Sequence, residues 1–372
     1  MKRIYLDNAA TTPLSPESAR VMHEWELNHF GNPSSAHHFG QIARARLEEA
    51  RDVVAEFLGA PSKNLFFTSG ATEGNNWILK SVAHKFKNKR LLVSQLEHPS
   101  VFKTANYLKA NDYQVDFIEP DEKGLITVEQ IKKVLQPETA LISVMYVNNE
   151  TGIINPVKEI GRFCAERGIK FHCDAVQAFG KLKFTAEEIY ADYLTISAHK
   201  IHGPKGVGAV YLKEPALLEP YLHGGEQEAG KRAGTESLAG IIGFAEALKH
   251  QSVQSFGSKK VKQLQAFFES KIKDYFPQAV IVGESVDRSP SISQIAFPGQ
   301  DNQRLLMLLD LNGVAVSVGS ACSSGSLKPS RVLQKMHLPE HVVNSAIRFS
   351  YSSLTEILEL QKTLEILKKL IN

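Results

Sequence analysis

The chain has 372 residues, 43% of them hydrophobic and 22% charged, with 25 glycines and 16 prolines. This length and composition predict a globular protein of two domains, or one large α/β domain with an appendage, and exclude a disordered or coiled-coil chain. Lysine and arginine total 43 against 40 acidic residues, a net charge of +3, and the basic residues are scattered. We therefore expect no direct nucleic-acid partner.

The apolar segments and the cysteines indicate the cellular compartment of the protein. The longest apolar stretch, residues 238–248, is interrupted by Gly240, Gly243 and Glu246 and is well short of the roughly 18 residues of a membrane span. Near the N-terminus, Asp7 follows too few apolar residues for a signal peptide. Three cysteines, a small and odd number, argue against a disulfide framework. We expect a cytoplasmic protein without membrane association.

Helical and β-rich segments alternate between about residues 40 and 250. Residues 41–58 repeat apolar side chains at helical spacing and end before Gly59, a favoured helix C-cap. Further helices are predicted at 72–87, 99–110, 127–135 and 156–167, and short strands at 64–68, 91–94, 114–118, 141–147 and 170–174. The alternation predicts a mainly parallel sheet with helices on both faces, and ligands of such sheets bind beyond the carboxyl ends of the strands.

Beyond about residue 250 the pattern changes to longer helices with isolated strands between them. Helices are predicted at 259–275, 302–311 and 355–371, and strands at 280–282, 293–297, 314–317 and 346–350. A Gly/Ser-rich loop lies before the last of these strands. This arrangement is typical of a smaller α+β domain.

A turn of small residues, 68–73, joins a predicted strand to a predicted helix. Small side chains let the backbone approach an anion, and the free amides of a helix N-terminus favour phosphate. Taken alone, however, this segment is better interpreted as an ordinary strand–helix turn capped by Thr72.

Two charged residues follow other predicted strands. Asp174 can either pair with a protonated ring nitrogen or cap the next helix, and its own segment favours neither. Lys200 follows Ser197, Ala198 and His199 at a strand end, where a desolvated lysine can form a Schiff base, whereas Lys205 fits a solvated loop lysine better. A phosphate turn, a strand-end acid and, 26 residues later, a lysine are the groups that pyridoxal phosphate requires.

The cysteines differ in their surroundings. Cys322 lies among glycines and serines in residues 318–326, a polar loop that is a poor burial site, so we expect an exposed and reactive thiol. Cys164, in a predicted helix, and Cys173, in a predicted strand, fit small inert side chains of the core.

Other positions carry weaker signals. His98 follows a strand and could stack on a flat cofactor, exchange protons or simply begin a helix. Arg348 lies inside an apolar strand, where a guanidinium needs a carboxylate from the protein or from a substrate. Asn149 falls in an apparent turn. Residues 223–237, rich in glycine and without obvious secondary structure, are a candidate for reaching a neighbouring subunit.

Together these motifs closely resemble those of the cysteine desulfurases, in the nitrogen-fixation and iron–sulfur-cluster group of class V aminotransferase-like enzymes. The likeness runs from residues 5–12 to 348–350, and residues 69–73, 197–200 and 319–322 carry its motifs. It implies an α/β fold-type I homodimer that depends on pyridoxal 5′-phosphate. It also implies a large domain at about 15–255 and a small domain formed by 1–14 and 256–372, with the catalytic-cysteine loop at about 318–330.

The resemblance implies a role for each site residue. Lys200 would hold the cofactor aldehyde, Asp174 would pair with the pyridinium nitrogen, and Asn149 and Arg348 would hold the substrate carboxylate. The remaining cofactor contacts would be Gln177 on the ring hydroxyl, His98 stacked on the ring with a catalytic role, Ala71, Thr72, Ser197 and His199 on the phosphate, and Thr235 on the phosphate of the other subunit. No metal is implied.

The implied reaction removes sulfur from L-cysteine. Lys200 would take the Cα proton, the Cys322 thiolate would attack the substrate sulfur, and L-alanine would leave while a persulfide stays on Cys322. The sulfur would then pass to an acceptor, such as a cluster scaffold or a tRNA-thiolation enzyme. The chain stops at Asn372, where several relatives continue with a tail that docks a scaffold, and Glu226 stands where relatives often have glycine.

Two alternatives remain. A selenocysteine lyase or a class V aminotransferase would use the same fold, and Cys322 argues against transamination because that reaction has no use for a loop thiol. A non-catalytic platform for sulfur trafficking would lack the lysine or the carboxylate clamp, whereas both Lys200 and Arg348 are present.

Overall fold

The computed structural model describes residues 3–254, 259–319 and 329–371. Its strands are β1 (Ile4–Tyr5), β2 (Leu65–Thr68), β3 (Arg90–Ser94), β4 (Gln114–Ile118), β5 (Thr139–Ser143), β6 (Lys170–Asp174), β7 (Tyr193–Ser197), β8 (Gly208–Leu212), β9 (Val280–Ile281), β10 (Ile292–Ala296), β11 (Val314–Ala315) and β12 (Ala346–Ser350). Its helices are α1 (Pro16–Asn28), α2 (His38–Phe57), α3 (Ala71–Lys85), α4 (Pro99–Ala110), α5 (Val128–Val134), α6 (Val157–Ala165), α7 (Leu238–Gln254), α8 (Lys259–Tyr275), α9 (Asn302–Leu311), α10 (Arg331–Lys335), α11 (Glu340–Val343) and α12 (Ile357–Ile371). Among the helices in these ranges, none is both long and apolar enough to span a bilayer.

The larger sheet has seven strands in the order β2-β8-β7-β6-β5-β3-β4. All neighbours pair in parallel except β8, which runs antiparallel to both β2 and β7. Helices α2, α6 and α7 pack on one face and α3 and α4 on the other, so the central strands are buried on both sides. The carboxyl ends of β2, β3, β5, β6 and β7 therefore meet at one edge, as the alternation of elements predicts.

A smaller layer is built from the two ends of the chain. Strands β12, β10 and β9 form an antiparallel sheet, and β1 pairs in parallel with β11. Ile4 and Leu6 belong to the same hydrophobic cluster as α8, α9 and α12. The division into domains near residue 255 stays a prediction, and the separate cluster that joins the N-terminal segment to the C-terminal part is consistent with it.

Two helices, α1 and α7, were not among the predicted elements, and they pack on each other, with the Ser18 hydroxyl donating to the Gly243 carbonyl at 2.9 Å. The sequence does indicate where α1 begins, because Ser15 and Pro16 are typical of a helix start. The Ser15 side chain accepts a hydrogen bond from the Ser18 amide, and Pro16 occupies the first turn. The mostly polar composition of α1 concealed the rest of this helix.

The predicted strand 141–147 is too long at its end. Strand β5 stops at Ser143, and beyond it the Met145 amide donates to the Glu97 side chain at 2.7 Å. The amides of Val144 and Tyr146 still donate to the His172 and Asp174 carbonyls of β6, so the segment after β5 stays beside the sheet as far as its carboxyl edge.

Candidate active site

A cavity of about 450 Å³ lies at the carboxyl ends of the parallel strands. Its lining includes ten of the residues that the sequence singles out: Ala71, Thr72, His98, Asn149, Asp174, Gln177, Ser197, His199, Lys200 and Arg348. Thr235 instead lines a smaller cavity of about 140 Å³ with Glu228 and Arg232. Cys322 lies outside the described residues. The sequence motifs, which are far apart in the chain, therefore converge on one site.

The first wall of the cavity is the N-terminus of α3. Gly70 is its N-cap, with φ of 148°, and no side chain closes the helix end, so the expected Thr72 cap is wrong. The backbone also comes close here, because a Cβ on Gly208 would lie 2.8 Å from the Cα of Gly70. An uncapped helix start of this kind presents free amides, which suit the phosphate group of a ligand.

A carboxylate in the same helix turn is paired rather than free. The Arg232 guanidinium donates to both oxygens of Glu73, at 2.9 and 3.2 Å, and the Ser69 amide donates to one of them. Although burial raises the pKa of Glu73, the hydrogen bonds from Arg232 and Ser69 hold it below its usual value. The charge of Glu73 is therefore compensated and does not repel an anion at the helix start.

Asp174 ends β6 as a buried carboxylate. It accepts hydrogen bonds from Asn75 Nδ2 at 2.8 Å and from the Val176 amide at 3.1 Å. Turns rather than a helix follow it, so its interpretation as a helix cap is wrong. Asn75 also donates to Ser100, whose hydroxyl lies 2.8 Å from His98 Nδ1. This polar network holds Asp174 and His98 in a fixed relation, and the sequence analysis missed both Asn75 and Ser100.

His98 is both a helix-start residue and a residue of the cavity. Its Nδ1 accepts from the Ser100 amide at 3.1 Å as the N-cap of α4. Burial lowers the pKa of His98, and Lys200, Arg331 and Arg348 lower it further against the opposing effect of Asp174. The imidazole is therefore a neutral, flat ring at neutral pH, which suits stacking on an aromatic ligand.

Lys200 bonds to the N-terminal segment, which the sequence analysis did not place in the site. Its Nζ donates to the carbonyls of Ala9 and Ala10 at 2.6 and 2.7 Å. His199 contacts Thr11, with 3.2 Å between Nδ1 and Oγ1, and burial followed by Lys200 lowers the pKa of His199 to about 4. Residues 9–11 thus form a second wall of the cavity.

Lys205 is exposed, as expected, although it also reaches the lining.

Arg348 is almost fully buried, with 1% of its surface exposed. Its guanidinium donates to the Asn149 carbonyl and to Asp7 Oδ1, each at 2.8 Å. The carboxylate that the sequence analysis required is therefore Asp7 from the N-terminal segment. Each Nη atom carries two N–H groups and uses one of them in these bonds, and Arg348 also lines the cavity, so the guanidinium retains donors for a ligand.

The described residues on either side of segment 320–328 contact the same turn. Ser330 Oγ donates to Glu150 Oε2 at 2.5 Å, and Glu150 Oε2 lies 3.4 Å from the position of a Cβ on Gly319. Arg331 donates to the carbonyls of Gln95 and Glu97, next to His98. The ends of the predicted cysteine loop are thus held beside Asn149.

Cys164 and Cys173 are buried, and burial raises the pKa of both thiols.

Comparisons with known proteins identify the family. Residues 4–362 match the family model described as aminotransferase class-V. The cysteine desulfurase IscS of Dictyoglomus turgidum is 39% identical over 375 residues, which cover 100% of this chain and 95% of that one. The chain belongs to the cysteine desulfurase family.

Solved structures of NifS-like and related proteins have the same fold. A NifS-like protein is 33% identical, has a TM-score of 0.91 and covers 99% of both chains. A structure of SspA in complex with cysteine is also 33% identical, with a TM-score of 0.84 over 93% of this chain and 98% of that one. The predicted family, enzyme class and α/β fold-type I architecture of this cysteine desulfurase are confirmed.

Proposed function

We propose that the chain removes sulfur from L-cysteine with bound pyridoxal 5′-phosphate, releasing L-alanine and leaving a persulfide on Cys322. The observation that carries this proposal is the convergence of an amine, a buried carboxylate and an uncapped helix start on one cavity. Membership of the cysteine desulfurases supports the choice of substrate, and the cysteine complex of the SspA relative is in line with it.

The donors and acceptors of the cavity fit this cofactor. Helix α3 offers the amides of Ala71 and Thr72 to the phosphate, and Ser197 and His199 line the same cavity. Asp174 would accept a hydrogen bond from the protonated ring nitrogen and keep it protonated, and His98 would cover one face of the ring. When bound, pyridoxal phosphate supplies an electron sink for the charge that develops at the substrate Cα.

Lys200 provides the amine that would hold the cofactor aldehyde and, after displacement by substrate, would take the Cα proton. Two carbonyls already direct its Nζ toward residues 9 and 10, so its position is fixed without a carboxylate partner in those bonds.

Arg348 and Asn149 would hold the substrate carboxylate. Asp7 and the Asn149 carbonyl fix the plane of the guanidinium, and each Nη atom keeps a second N–H group. A rigid guanidinium that retains a donor suits a carboxylate ligand. This contact would orient the substrate so that its Cα proton faces Lys200 and its sulfur faces the cysteine loop.

The sulfur-transfer step falls to Cys322. Its thiolate would attack the substrate sulfur, the bond between that sulfur and the substrate carbon would break, and the carbon fragment would be protonated and leave as L-alanine. The persulfide would then pass to an acceptor, either a cluster scaffold or a tRNA-thiolation enzyme. We also propose a homodimer in which residues 223–237 reach the other subunit and Thr235 adds a phosphate contact there.

The test measures sulfide and alanine from L-cysteine in the presence of pyridoxal phosphate and a reductant. Wild-type protein should take up the cofactor and form the two products in equal amounts. C322A should still bind cofactor and cysteine but release no sulfide, while S323A, a matched change in the same loop, should behave as wild type. Undiminished sulfide from C322A would refute the persulfide role. A keto acid formed without sulfide would favour the aminotransferase, and turnover of selenocysteine alone would favour the lyase.

A further inference from the structure

Lys181 occupies a position that the proposed mechanism does not use. It lies in the turns that follow β6, four residues after Gln177. Its Nζ donates to Gln177 Oε1 at 2.7 Å, and Gln177 Nε2 donates to the Ala9 carbonyl at 2.9 Å. The Ala9 carbonyl only accepts, so the Gln177 NH₂ group must face it, and Oε1 then faces the Lys181 amine, which can donate whether or not it is charged.

The same carbonyl connects Gln177 to the amine of the site. Ala9 O accepts from Lys200 Nζ at 2.6 Å as well as from Gln177. Gln177 is buried and lines the large cavity, whereas Lys181 is not part of that lining. Lys181 therefore reaches the proposed cofactor only through Gln177, whose amide hydrogens are turned toward the Lys200 side of the cavity.

The surroundings of Lys181 are cationic. Burial, followed by Lys200 and Arg348, lowers the pKa of Lys181 to about 7. The charge of Lys181 also lowers the pKa values of His199 and His202. A lysine in this position is not explained as a stabilising ion pair, because its charged neighbours have the same sign.

A second cavity, of about 50 Å³, lies between Lys181 and residues of the smaller layer such as Ser291 and Tyr351. Its lining includes Lys181, Gly180, Lys200, Ser291 and Asn8, and the Oδ1 of Asn8 is buried without a hydrogen-bond partner. A space of this size holds a water molecule and leaves room for a slightly larger head group than an ammonium.

We propose that Lys181 is a positioning residue that fixes the Gln177 amide so that its NH₂ group faces the ring hydroxyl of the cofactor. The inference rests on the proposed cofactor site. Without the donor at Gln177 Oε1, only the Ala9 carbonyl still orients the amide, so the position of its NH₂ group is less strictly fixed. Pyridoxal phosphate should therefore bind more weakly, because its ring hydroxyl loses a well-placed hydrogen-bond donor.

A double-mutant cycle tests this proposal. Wild type, K181M, Q177L and the double variant are stripped of cofactor, and the dissociation constant of pyridoxal phosphate is measured for each from its visible absorbance. K181M should raise the dissociation constant about tenfold, the effect of one hydrogen bond, but should have no further effect in the Q177L background. K183M, which removes an exposed lysine two residues away, is the matched control and should bind as wild type.

Two further measurements separate positioning from a structural role. The cofactor-free K181M protein should melt no lower than cofactor-free wild type, because methionine fills the same volume without a buried ammonium. K181R should restore most of the affinity, since the small cavity can accept its guanidinium.

Several outcomes would overturn the inference. If K181M binds cofactor as K183M does, or if its effect is as large in the Q177L background, Lys181 does not act through Gln177. If cofactor-free K181M melts well below wild type, its role is structural. A wild-type protein that takes up no pyridoxal phosphate overturns the proposed function and this inference together.

Discussion

The proposed cofactor end of the cavity and its substrate end are built in different ways. The cofactor end uses the start of α3, Asp174 and Lys200, each of which lies at the carboxyl end of a strand of the same sheet or within three residues of it. The substrate end brings Arg348 of β12 against Asp7 and Asn149, which lie 341 and 199 residues away in the chain. Sheet geometry is sufficient to form the first end, whereas the second depends on the packing of the smaller layer against the larger one.

We expect the largest effect from D174N, which tests whether the cofactor end depends on the Asp174 carboxylate. Asp174 and Glu97 are both buried near the ring position, but burial and then the charge of Asp174 raise the pKa of Glu97 well above its usual value. Burial thus favours the neutral form of Glu97, and its amide analogue should be tolerated. We expect D174N to lower kcat by about 10²–10³-fold and E97Q to stay within about threefold of wild type. Equal losses in the two variants would show that an ionised Glu97 is needed.

A smaller effect is expected at the substrate end. In R348K an ammonium replaces the planar guanidinium and cannot bond to Asp7, the Asn149 carbonyl and a substrate carboxylate in one plane. We expect KM for L-cysteine to rise about tenfold or more while the dissociation constant of the cofactor is unchanged.

The control for this variant is R288K, in which a partly buried guanidinium pairs with Glu269 away from the large cavity. R288K should leave KM unchanged. If R348K loses cofactor and substrate together, the two ends of the cavity are not independent, and the contrast between them fails.

The smallest effect concerns the strand that carries Asp174. His172 is fully buried in β6, between the hydroxyls of Ser143 and Thr195, and burial lowers its pKa to about 3. The unfolded state takes up a proton near pH 6.5 and the folded state only near pH 3, so the stabilisation is present above pH 6.5 and is lost as the pH falls toward 3. This histidine should contribute a slope of up to about 1.4 kcal/mol per pH unit in that window.

Denaturant unfolding at several pH values measures this slope. H172N should show a shallower fall of the free energy of unfolding between pH 6 and pH 4, whereas H341N, at an exposed position, should follow wild type. If the slopes of all three proteins coincide, His172 takes up its proton in the folded state as readily as in the unfolded one.

The contrast between the two ends also explains what could be predicted from the sequence. The strand-end positions of Asp174 and Lys200 follow from local patterns, because the carboxyl ends of parallel strands share an edge. The contacts of Lys200 with Ala9 and Ala10 could not be predicted in this way, since small apolar residues near a chain end carry no chemical signal. Asp7, the partner of Arg348, is charged, but it lies 341 residues away in the chain, and no local pattern connects the two.

Other omissions have local physical causes. Thr72 is a better N-cap than glycine by side-chain chemistry, but Gly70 takes the cap because its φ of 148° is open to glycine and not to residues with a Cβ. Asn75 and Ser100 join Asp174 to His98 from two helices on the same face of the sheet. Their roles depend on helix packing, which periodicity does not reveal.

The pairing of β1 with β11 has a consequence for how the protein is made. The first residues leave the ribosome at the start of synthesis, yet their partners, Val314 and Ala315, emerge some 300 residues later, and Arg348 later still. Contacts of such long range form slowly, because the intervening loop must close before they contribute. The large sheet can fold while the chain is still being translated, but the pairing of β1 with β11 and the contact of Asp7 with Arg348 have to wait for the end of the polypeptide. The substrate end of the cavity is thus expected to be completed last.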